Sequence, residues 1–566
     1  MNDAKIVTKE QIEPVDQNAN TNGLYSQWRE KVLGPWASVC VVVALVIAML
    51  LNIVATAIPQ ITDEFHSLDQ VGWYGSAFFV GLVAFQAVWG KIYRFFPLNA
   101  TFMVAIVLFE AGSLICGMIL ILRHDLFGRF LIFLRPTAVS QNSITLIAGR
   151  AITGAGGSGV TSGCYIIIAN IAAPEKRAAY TGILGATYGI ASIMGPLVGG
   201  AFTDQLTWRW CFWINLPIGF AAVVLLLLTF STPASAKPIK STWIEILRHV
   251  DLLSVVIIIA SFVCYLLAMQ WGGVSKSWDS ADVIGTIVGW IVLLVVFAAL
   301  QWSQGEYALI VPRLVQNKVI AVCAAFNALL AGAYFIIVYY MPIYFQTIGS
   351  SSALRSGIQT LPLILSASVF SLTGGVVLAA FGNFQYHLII GSTLLTIGCG
   401  LLYTLQITLS TGAYVGYQLL AGVGVGIAMQ VPVVAAQGLV EMKDISSVTS
   451  ILLFFQTMGG AYFISAGESA FTNQMISTIS KIAPDLNSAK VVSVGATEIH
   501  KIYSGPALTA VLEAYMSGFR TAWIICIAAA GLAFVISLLP LFVRVNGKVQ
   551  SDQEDHSQSH LTQISV

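Results

Sequence analysis

Charged residues are scarce in this chain of 566 residues: Asp, Glu, Lys and Arg make up only 9% of it, against 57% hydrophobic residues. Soluble domains carry roughly 25% charged residues. A water-soluble globular protein of this length is therefore excluded, and lipid must be the solvent for most of the surface. The formal net charge of +1 argues against nucleic acid as a partner.

Signatures of several other protein classes are also missing. The chain has no GxxxxGK[ST] phosphate loop, so an ATP-driven pump would need a partner. Its seven His are scattered, and its eight Cys fall in apolar segments without a CxxC pair, so they are read as small apolar residues rather than disulfide or zinc ligands. The polar first thirty-odd residues lack the apolar core and cleavage site of a signal peptide. We expect no enzyme, no cofactor and no metal.

What the sequence does have is long apolar runs. About 20 such residues are needed to cross a bilayer, and fourteen segments qualify. They lie near 36-61, 71-92, 98-118, 144-170, 178-202, 210-230, 252-271, 283-302, 319-341, 357-380, 387-406, 413-439, 447-470 and 521-543. The sequence thus predicts an all-α integral membrane protein with fourteen transmembrane helices.

The basic residues fix the predicted orientation. With both termini inside, sixteen Lys and Arg fall in cytoplasmic segments and only three in short outer loops, which favours cytoplasmic termini. The fourteen spans divide as six, two and six, and two such bundles usually enclose a cavity at the membrane midplane. The predicted parts are an N-terminal tail (1-35), a first bundle (36-230), a linker (231-250), two interposed helices (251-303), a second bundle (304-543, with an outer loop at about 471-520) and a C-terminal tail (544-566).

One segment fits this plan poorly. Residues 118-137 add three Arg to what would be a short outer loop, and without them Ser113–Cys116 continues smoothly into Ala138–Ser143. Two interpretations stay open: a retained intron in the gene sequence, or an amphipathic outer helix.

The most informative stretch runs from Thr181 to Gly219. Its first half is an apolar helix that contains Gly185, Gly189, Gly195, Pro196, Gly199 and Gly200. In water each Gly weakens a helix by roughly 1 kcal/mol and Pro by roughly 3, but in a membrane small residues at this spacing let two helices approach closely. The second half, residues 208-219, places aromatic residues and Arg209 at a membrane edge and Asn215 just inside it.

Together these two segments resemble signature segments of the fourteen-span drug:proton antiporter branch of the major facilitator superfamily. Further motifs, which resemble fungal toxin and multidrug efflux members, extend the similarity from about Leu50 to Phe542. They are Trp73–Ala77, Phe85–Gln86, Phe109–Ser113, Glu175–Arg177 and Tyr180–Gly182. The resemblance implies the major facilitator fold and a proton-driven exporter. The direction of transport depends on the resemblance, because the physics of the sequence alone cannot choose export over import.

The chain departs from that family at two places. The acidic residue expected in the first span is replaced by Leu50, and Asn52 is the only strongly polar residue nearby. After the second span, Arg94 stands where the family has an Asp that pairs with a cation to latch the cytoplasmic side. The first departure leaves the site of proton coupling open.

Three ionisable residues within spans are candidates for that coupling. Arg150 should face protein or water, because a cation at the centre of a span costs roughly 2.5–3.5 kcal/mol. With Thr153, Gly154, Gly157 and Thr161 it forms one helical stripe, which is either a cavity lining or a packing seam. Glu110 and Glu468 are carboxyls that, once buried, can hold a proton near neutral pH; alternatively each is a neutral group between packed helices.

Polar and aromatic residues on apolar helices are candidates for contact with substrate: Asn52, Gln86, Asn327, Tyr334, Gln430, Gln437 and Gln456. The alternative for each is an interhelical hydrogen bond. Few charges and many aromatic residues suit uncharged amphipathic organic molecules. We therefore predict an exporter of hydrophobic toxins, drugs or secondary metabolites in the plasma membrane or, alternatively, the vacuolar membrane. The competing functions are transport of a polar solute, such as an iron chelate or a basic amino acid, and a sensor that no longer moves substrate.

Overall fold

The computed structural model describes Ile61 and residues 71–117, 143–230, 238–239, 241–408, 410–494 and 498–539. These residues form helices and connecting turns, and no β-strand occurs among them. Residues 36–60 of the predicted first span, both chain ends and residues 118-137 lie outside the described residues.

The helices are numbered in chain order. The first nine are α1 Val71–Phe95, α2 Leu98–Gly117, α3 Ser143–Ile171, α4 Pro174–Gln205, α5 Trp210–Trp213, α6 Asn215–Thr229, α7 Trp243–Val250, α8 Leu252–Trp271 and α9 Ala281–Gln304. The other ten are α10 Pro312–Gln316, α11 Lys318–Thr347, α12 Ala353–Phe381, α13 Phe384–Tyr403, α14 Thr411–Ala428, α15 Val431–Gln437, α16 Ile445–Ile482, α17 Ser488–Ser493, α18 Ile499–Ile502 and α19 Gly505–Ser537.

Twelve helical segments of the described chain are long and apolar enough to cross a membrane. Helix α4 is not among them, although it has 32 residues, because its glycines and small polar residues dilute its apolar character. At 1.5 Å per residue it is nevertheless about 48 Å long.

The long helices pack into two groups that meet along two junctions. Helix α3 lies between α1 and α2, and α14 lies between α12 and α13, while α11, α16 and α19 pack on one another. The groups meet where α4 packs along α12 and where α1 packs along α16. We call the end of the molecule at which α1 finishes and α16 begins the Arg94 end, and the opposite end the Trp208 end.

The hairpin of α8 and α9 lies outside both groups. Helix α8 packs on α9, α1 and α16. An aromatic cluster fastens it to α16: the Tyr265 hydroxyl donates to the Tyr462 carbonyl oxygen at 2.7 Å, and the Trp290 indole N–H donates to the Tyr462 hydroxyl at 3.3 Å. The ring centroids of Tyr265 and Tyr462 are 4.5 Å apart.

Two predicted loops turn out to contain helix. Helix α16 continues to Ile482 and α19 begins at Gly505, so most of the predicted outer loop at 471-520 is helical. The polar residues that end the apolar runs bind the two helices together, since Gln474 and Thr478 both hydrogen-bond to the Ser517 hydroxyl. Within the predicted linker 231-250, α7 forms because the Thr242 hydroxyl and the Glu245 carboxylate make a reciprocal capping box.

Candidate functional site

The junction of α4 and α12 is built on the glycines of the Thr181–Gly219 segment. A β-carbon at Gly182 would lie 2.6 Å from the Ser371 carbonyl oxygen, and one at Gly185 or Gly189 would collide with the hydroxyl of Ser371 or Ser368. The Ser371 hydroxyl donates to the Gly182 carbonyl oxygen at 3.3 Å. The predicted close approach of two helices is therefore present, and its partner is the serine-rich face of α12.

The remaining members of the predicted antiporter motif continue along the same helix. Gly195, Pro196, Gly199 and Gly200 all lie within α4, which runs without interruption to Gln205. The Gly199 carbonyl oxygen faces the Cys211 thiol at 3.9 Å. Gly182, Gly185 and Gly189, which are nearer the Arg94 end, lie against α12.

A glutamine crosses between the two groups beside this junction. Gln430 occupies the short break between α14 and α15, and its Oε1 accepts a hydrogen bond of 2.7 Å from the Tyr165 hydroxyl of α3. Its amide nitrogen lies where a β-carbon at Gly185 would approach to 2.7 Å. Gln430 therefore bridges the two groups of helices, which we call the halves, at the α4–α12 junction.

A network of charges joins the halves at the Arg94 end. Asp444, whose side chain is only 3% exposed, lies 3.9 Å from Arg94 of α1 and 3.0 Å from Arg313. Arg313 also pairs with Glu306 at 2.7 Å. Hydrogen bonds to Glu306 and Asp444 raise the pKa of the Arg313 guanidinium above its usual range, so this partner keeps its charge.

The same end is tightly packed. A β-carbon at Gly90 of α1 would lie 2.6 Å from the Ser450 β-carbon and 2.9 Å from the Ser446 carbonyl oxygen, both in α16. Lys91 is buried and donates to the Glu306 carbonyl oxygen at 3.1 Å. The two halves are therefore in contact at the Arg94 end, through charges as well as backbone.

Arg150 and the next residues of its predicted stripe pack against neighbouring helices. Its Nε donates to the Tyr74 carbonyl oxygen at 3.0 Å, and its guanidinium lies 4.7 Å from the centre of the Phe78 ring, so it is held against α1. Gly154 also packs on α1, whereas Thr153 packs against Gly112 of α2. The contacts of Arg150, Thr153 and Gly154 are thus divided between two neighbouring helices, as the packing-seam interpretation predicts.

The two carboxyl candidates have different surroundings. Both carboxyl oxygens of Glu110 are buried without a hydrogen-bond partner in the described part of the chain, and a β-carbon at Gly219 would collide with one of them. This group is enclosed between α2 and α6. The Glu468 side chain is exposed on α16, close enough to interact electrostatically with Tyr339 and Tyr340 of α11.

Most of the polar substrate candidates bridge neighbouring helices. Gln86 donates to the Ser162 hydroxyl at 2.6 Å, and Gln437 donates to the Thr449 hydroxyl at 2.9 Å. Asn327 is fully buried and donates to the Leu452 carbonyl oxygen and to Gln456, each at 3.2 Å. Tyr334 is also buried, Gln456 is half-buried, and Asn52 lies outside the described residues.

Sequence reasoning missed Asp444, the residue that pairs with both Arg94 and Arg313 at the α1–α16 junction. Asp444 precedes α16 and was not singled out, although an acidic residue opposite Arg94 is what a latch with reversed charges requires. The serines of α12 were missed as well, because a serine in an apolar run carries no distinctive signal until its neighbour is known.

Comparisons with known proteins agree with this architecture. Residues 40–464 match the family model described as Major Facilitator Superfamily. The chain is 40% identical to the MFS-type transporter thnB of Trichoderma harzianum over 88% of this chain and 83% of that protein. It is 37% identical to the efflux pump notK of an Aspergillus species over 87% of this chain and 84% of that protein. Among solved structures, the proton:xylose symporter XylE superposes with a TM-score of 0.55 at 14% identity, covering 88% of this chain and 95% of that one.

Proposed function

The chain belongs to the major facilitator superfamily, and from that premise we propose that this membrane transporter exports hydrophobic toxins, drugs or secondary metabolites in exchange for protons. The observation that carries the proposal is the α4–α12 junction, where the glycines of the antiporter-like segment pack against Ser368 and Ser371. Export is further supported by relatives named efflux pumps, such as notK.

The proposal includes the full topology. The twelve apolar helical segments, helix α4 and the predicted span at 36-61 together make fourteen, arranged as six, two and six with both termini in the cytoplasm. In this arrangement the Arg94 end is the cytoplasmic end and the contacts there close the passage from the cytoplasm. The plasma membrane is the location that suits an exporter.

We assign the latch role to a charge pair of reversed sign. The family's inner-loop acid is replaced by Arg94, and Asp444 supplies the opposite charge from the other half. Separation of this pair would accompany opening of the cytoplasmic end. Among the coupling candidates we favour Glu468, because its side chain is exposed near Tyr339, which is itself exposed. Glu110, by contrast, is enclosed between two helices of one half.

The experiment is proton-dependent efflux of a lipophilic dye from cells that express the chain, comparing Gly182→Ala with Gly416→Ala. A methyl group at Gly182 meets the backbone of α12 at 2.6 Å, whereas one at Gly416 meets nothing within 4 Å. Overpacking costs about 1–3 kcal/mol, which corresponds to about 5- to 150-fold in an equilibrium. In Gly182→Ala the equilibrium between the closed and open states of the Arg94 end should shift toward the open state by that factor. The rate of dye efflux should fall as a result.

Collapse of the pH gradient should stop efflux by the parent chain. Efflux that survives this treatment would contradict proton coupling, and equal efflux by Gly182→Ala and Gly416→Ala would contradict the role of the junction. A parent chain that reaches the cell surface but exports no dye, toxin or metabolite would favour the sensor function instead.

A further inference from the structure

Helix α7 joins α8 at a sharp corner that leaves no connecting loop. The corner is Asp251, the single residue between the two helices, which adopts the left-handed conformation with φ 44° and ψ 60°. Non-glycine residues rarely adopt this conformation. Its carboxylate holds the corner in place by accepting from the Ser254 backbone N–H at 3.3 Å and from the Gln304 amide at 3.0 Å.

The corner places α7 at the boundary of the membrane. Helix α8 belongs to a segment that is long and apolar enough to cross a membrane, and its first residues Leu252 and Leu253 are exposed to the surroundings of the bundle. Because the chain turns at Asp251, α7 cannot continue along the axis of α8. Ring contacts with Phe95 and Phe96, where α1 ends, place α7 at the level of the Arg94 end.

The residues of α7 divide into three faces. Ile246, His249 and Val250 are half-buried against the protein. Next around the helix come Trp243, Ile244 and Leu247, which are 72%, 67% and 61% exposed. Glu245 and Arg248 follow on the remaining side and are also exposed. At 100° per residue, the apolar flank and the polar flank thus lie on opposite sides of the protein contact.

A helix with one apolar flank, one charged flank and low overall hydrophobicity suits the interface plane of a bilayer. We propose that the flank of Trp243, Ile244 and Leu247 inserts into the leaflet at the Arg94 end. Arg248, which borders this flank next to Ile244, lies at the level of the lipid phosphates. Only the α8 part of the segment Trp243–Trp271 then crosses the membrane.

Helix α7, the proposed membrane anchor, also contacts the part of α1 that carries Arg94 of the charge network between the halves. The ring of Trp243 lies 5.9 Å from that of Phe96, and the ring of His249 lies 4.8 Å from that of Phe95. The Ile239 backbone N–H also donates to the Arg94 carbonyl oxygen at 3.3 Å. The bilayer surface therefore helps to hold the end of α1, and with it Arg94, in position.

The test uses the full chain in phospholipid nanodiscs with a nitroxide attached to a single introduced cysteine. Ile244→Cys and Leu247→Cys probe the apolar flank, and Glu245→Cys and Arg248→Cys are matched controls one residue away. Oxygen, which concentrates in lipid, should relax the first pair more strongly, and a water-soluble nickel chelate the second. Each variant is first shown by size-exclusion chromatography to be folded.

Two outcomes would overturn the proposal. Equal nickel accessibility at all four positions would place the apolar flank in water, and exclusion of both reagents from positions 244 and 247 would place it under protein. The connection to the charge network is tested separately by the double variant Ile244→Gln/Leu247→Gln. It should raise several-fold the rate at which a cysteine replacing Ser450 reacts with a maleimide, and an unchanged rate would refute the connection. Neither experiment depends on transport.

Discussion

Replacement of Asp444 by Asn should open the Arg94 end. At 3.9 Å and an effective dielectric constant of about 20, the charges of Arg94 and Asp444 attract by about 4 kcal/mol. Desolvation of the nearly buried carboxylate offsets most of this attraction. The pair with the half-exposed Arg313 lies within the second half, so opening does not break it. A net loss of about 1–2 kcal/mol would raise the open population about 5- to 30-fold.

The assay is the rate of maleimide modification of Ser450→Cys in nanodiscs, where both sides of the protein are open to the reagent. Ser450 is fully buried at the contact with Gly90, and its hydroxyl has no hydrogen-bond partner among the described residues, so the exchange of oxygen for sulfur is mild. Ser480→Cys, on the exposed side of α16, reports labelling that does not depend on opening. The parent chain gives the background from native cysteines.

A matched control is Lys443, which directly precedes Asp444 in the chain. Lys443 and Glu441 form an exposed pair at 2.7 Å, so Lys443→Gln removes a neighbouring charge without touching the junction, and the rate should stay unchanged. In Arg94→Gln/Asp444→Asn both partners are missing, and the effect should fall short of the sum of the single effects. Labelling of Asp444→Asn at the parent rate would refute this role of the charge pair, and so would full additivity of the two single substitutions in the labelling rate.

Two further substitutions test other contacts. Tyr165→Phe removes the hydrogen bond to Gln430 between the halves, worth about 0.5–1.5 kcal/mol, and should raise Ser450→Cys labelling a few-fold; an unchanged rate would mean that this bond does not hold the closed end. Asn327→Leu removes the bonds to α16 and should lower stability in detergent by about 0.6 kcal/mol and at most about 1.7, with dye efflux retained. Lost efflux at unchanged stability would instead show that Asn327 contacts substrate.

The sequence was sufficient to predict the family and the long helices of the described residues, but not which helix faces pack together. The apolar runs and glycines around Gly185 predict a helix that packs closely on another, and the structure contains that contact. The partner, Ser371, lies 186 residues further along the chain, and nothing local indicates which helix will face which. The same limit explains Asp444, whose significance depends on the position of Arg94.

Spacing also cannot distinguish a helix face that lines a passage from one that touches a neighbouring helix. The stripe that begins at Arg150 has the period expected of either, and only the positions of α1 and α2 show that Arg150, Thr153 and Gly154 contact neighbouring helices. Helix ends were misplaced for a related reason. A helix end predicted from an apolar run falls before polar residues such as Gln474. The helix continues past them because the Gln474 side chain is hydrogen-bonded to Ser517 of α19.

The hairpin of α8 and α9 makes the two junctions between the halves differ in how accessible they are to a molecule dissolved in the bilayer. Helix α8 backs the α1–α16 junction on its outer side and is pinned there by the Tyr265–Tyr462 cluster. Among the described helices, the hairpin does not extend to the α4–α12 junction. A lipophilic compound that enters laterally from the bilayer would therefore find the α1–α16 junction covered. Its approach would be confined to the α4–α12 junction, where the glycines lie.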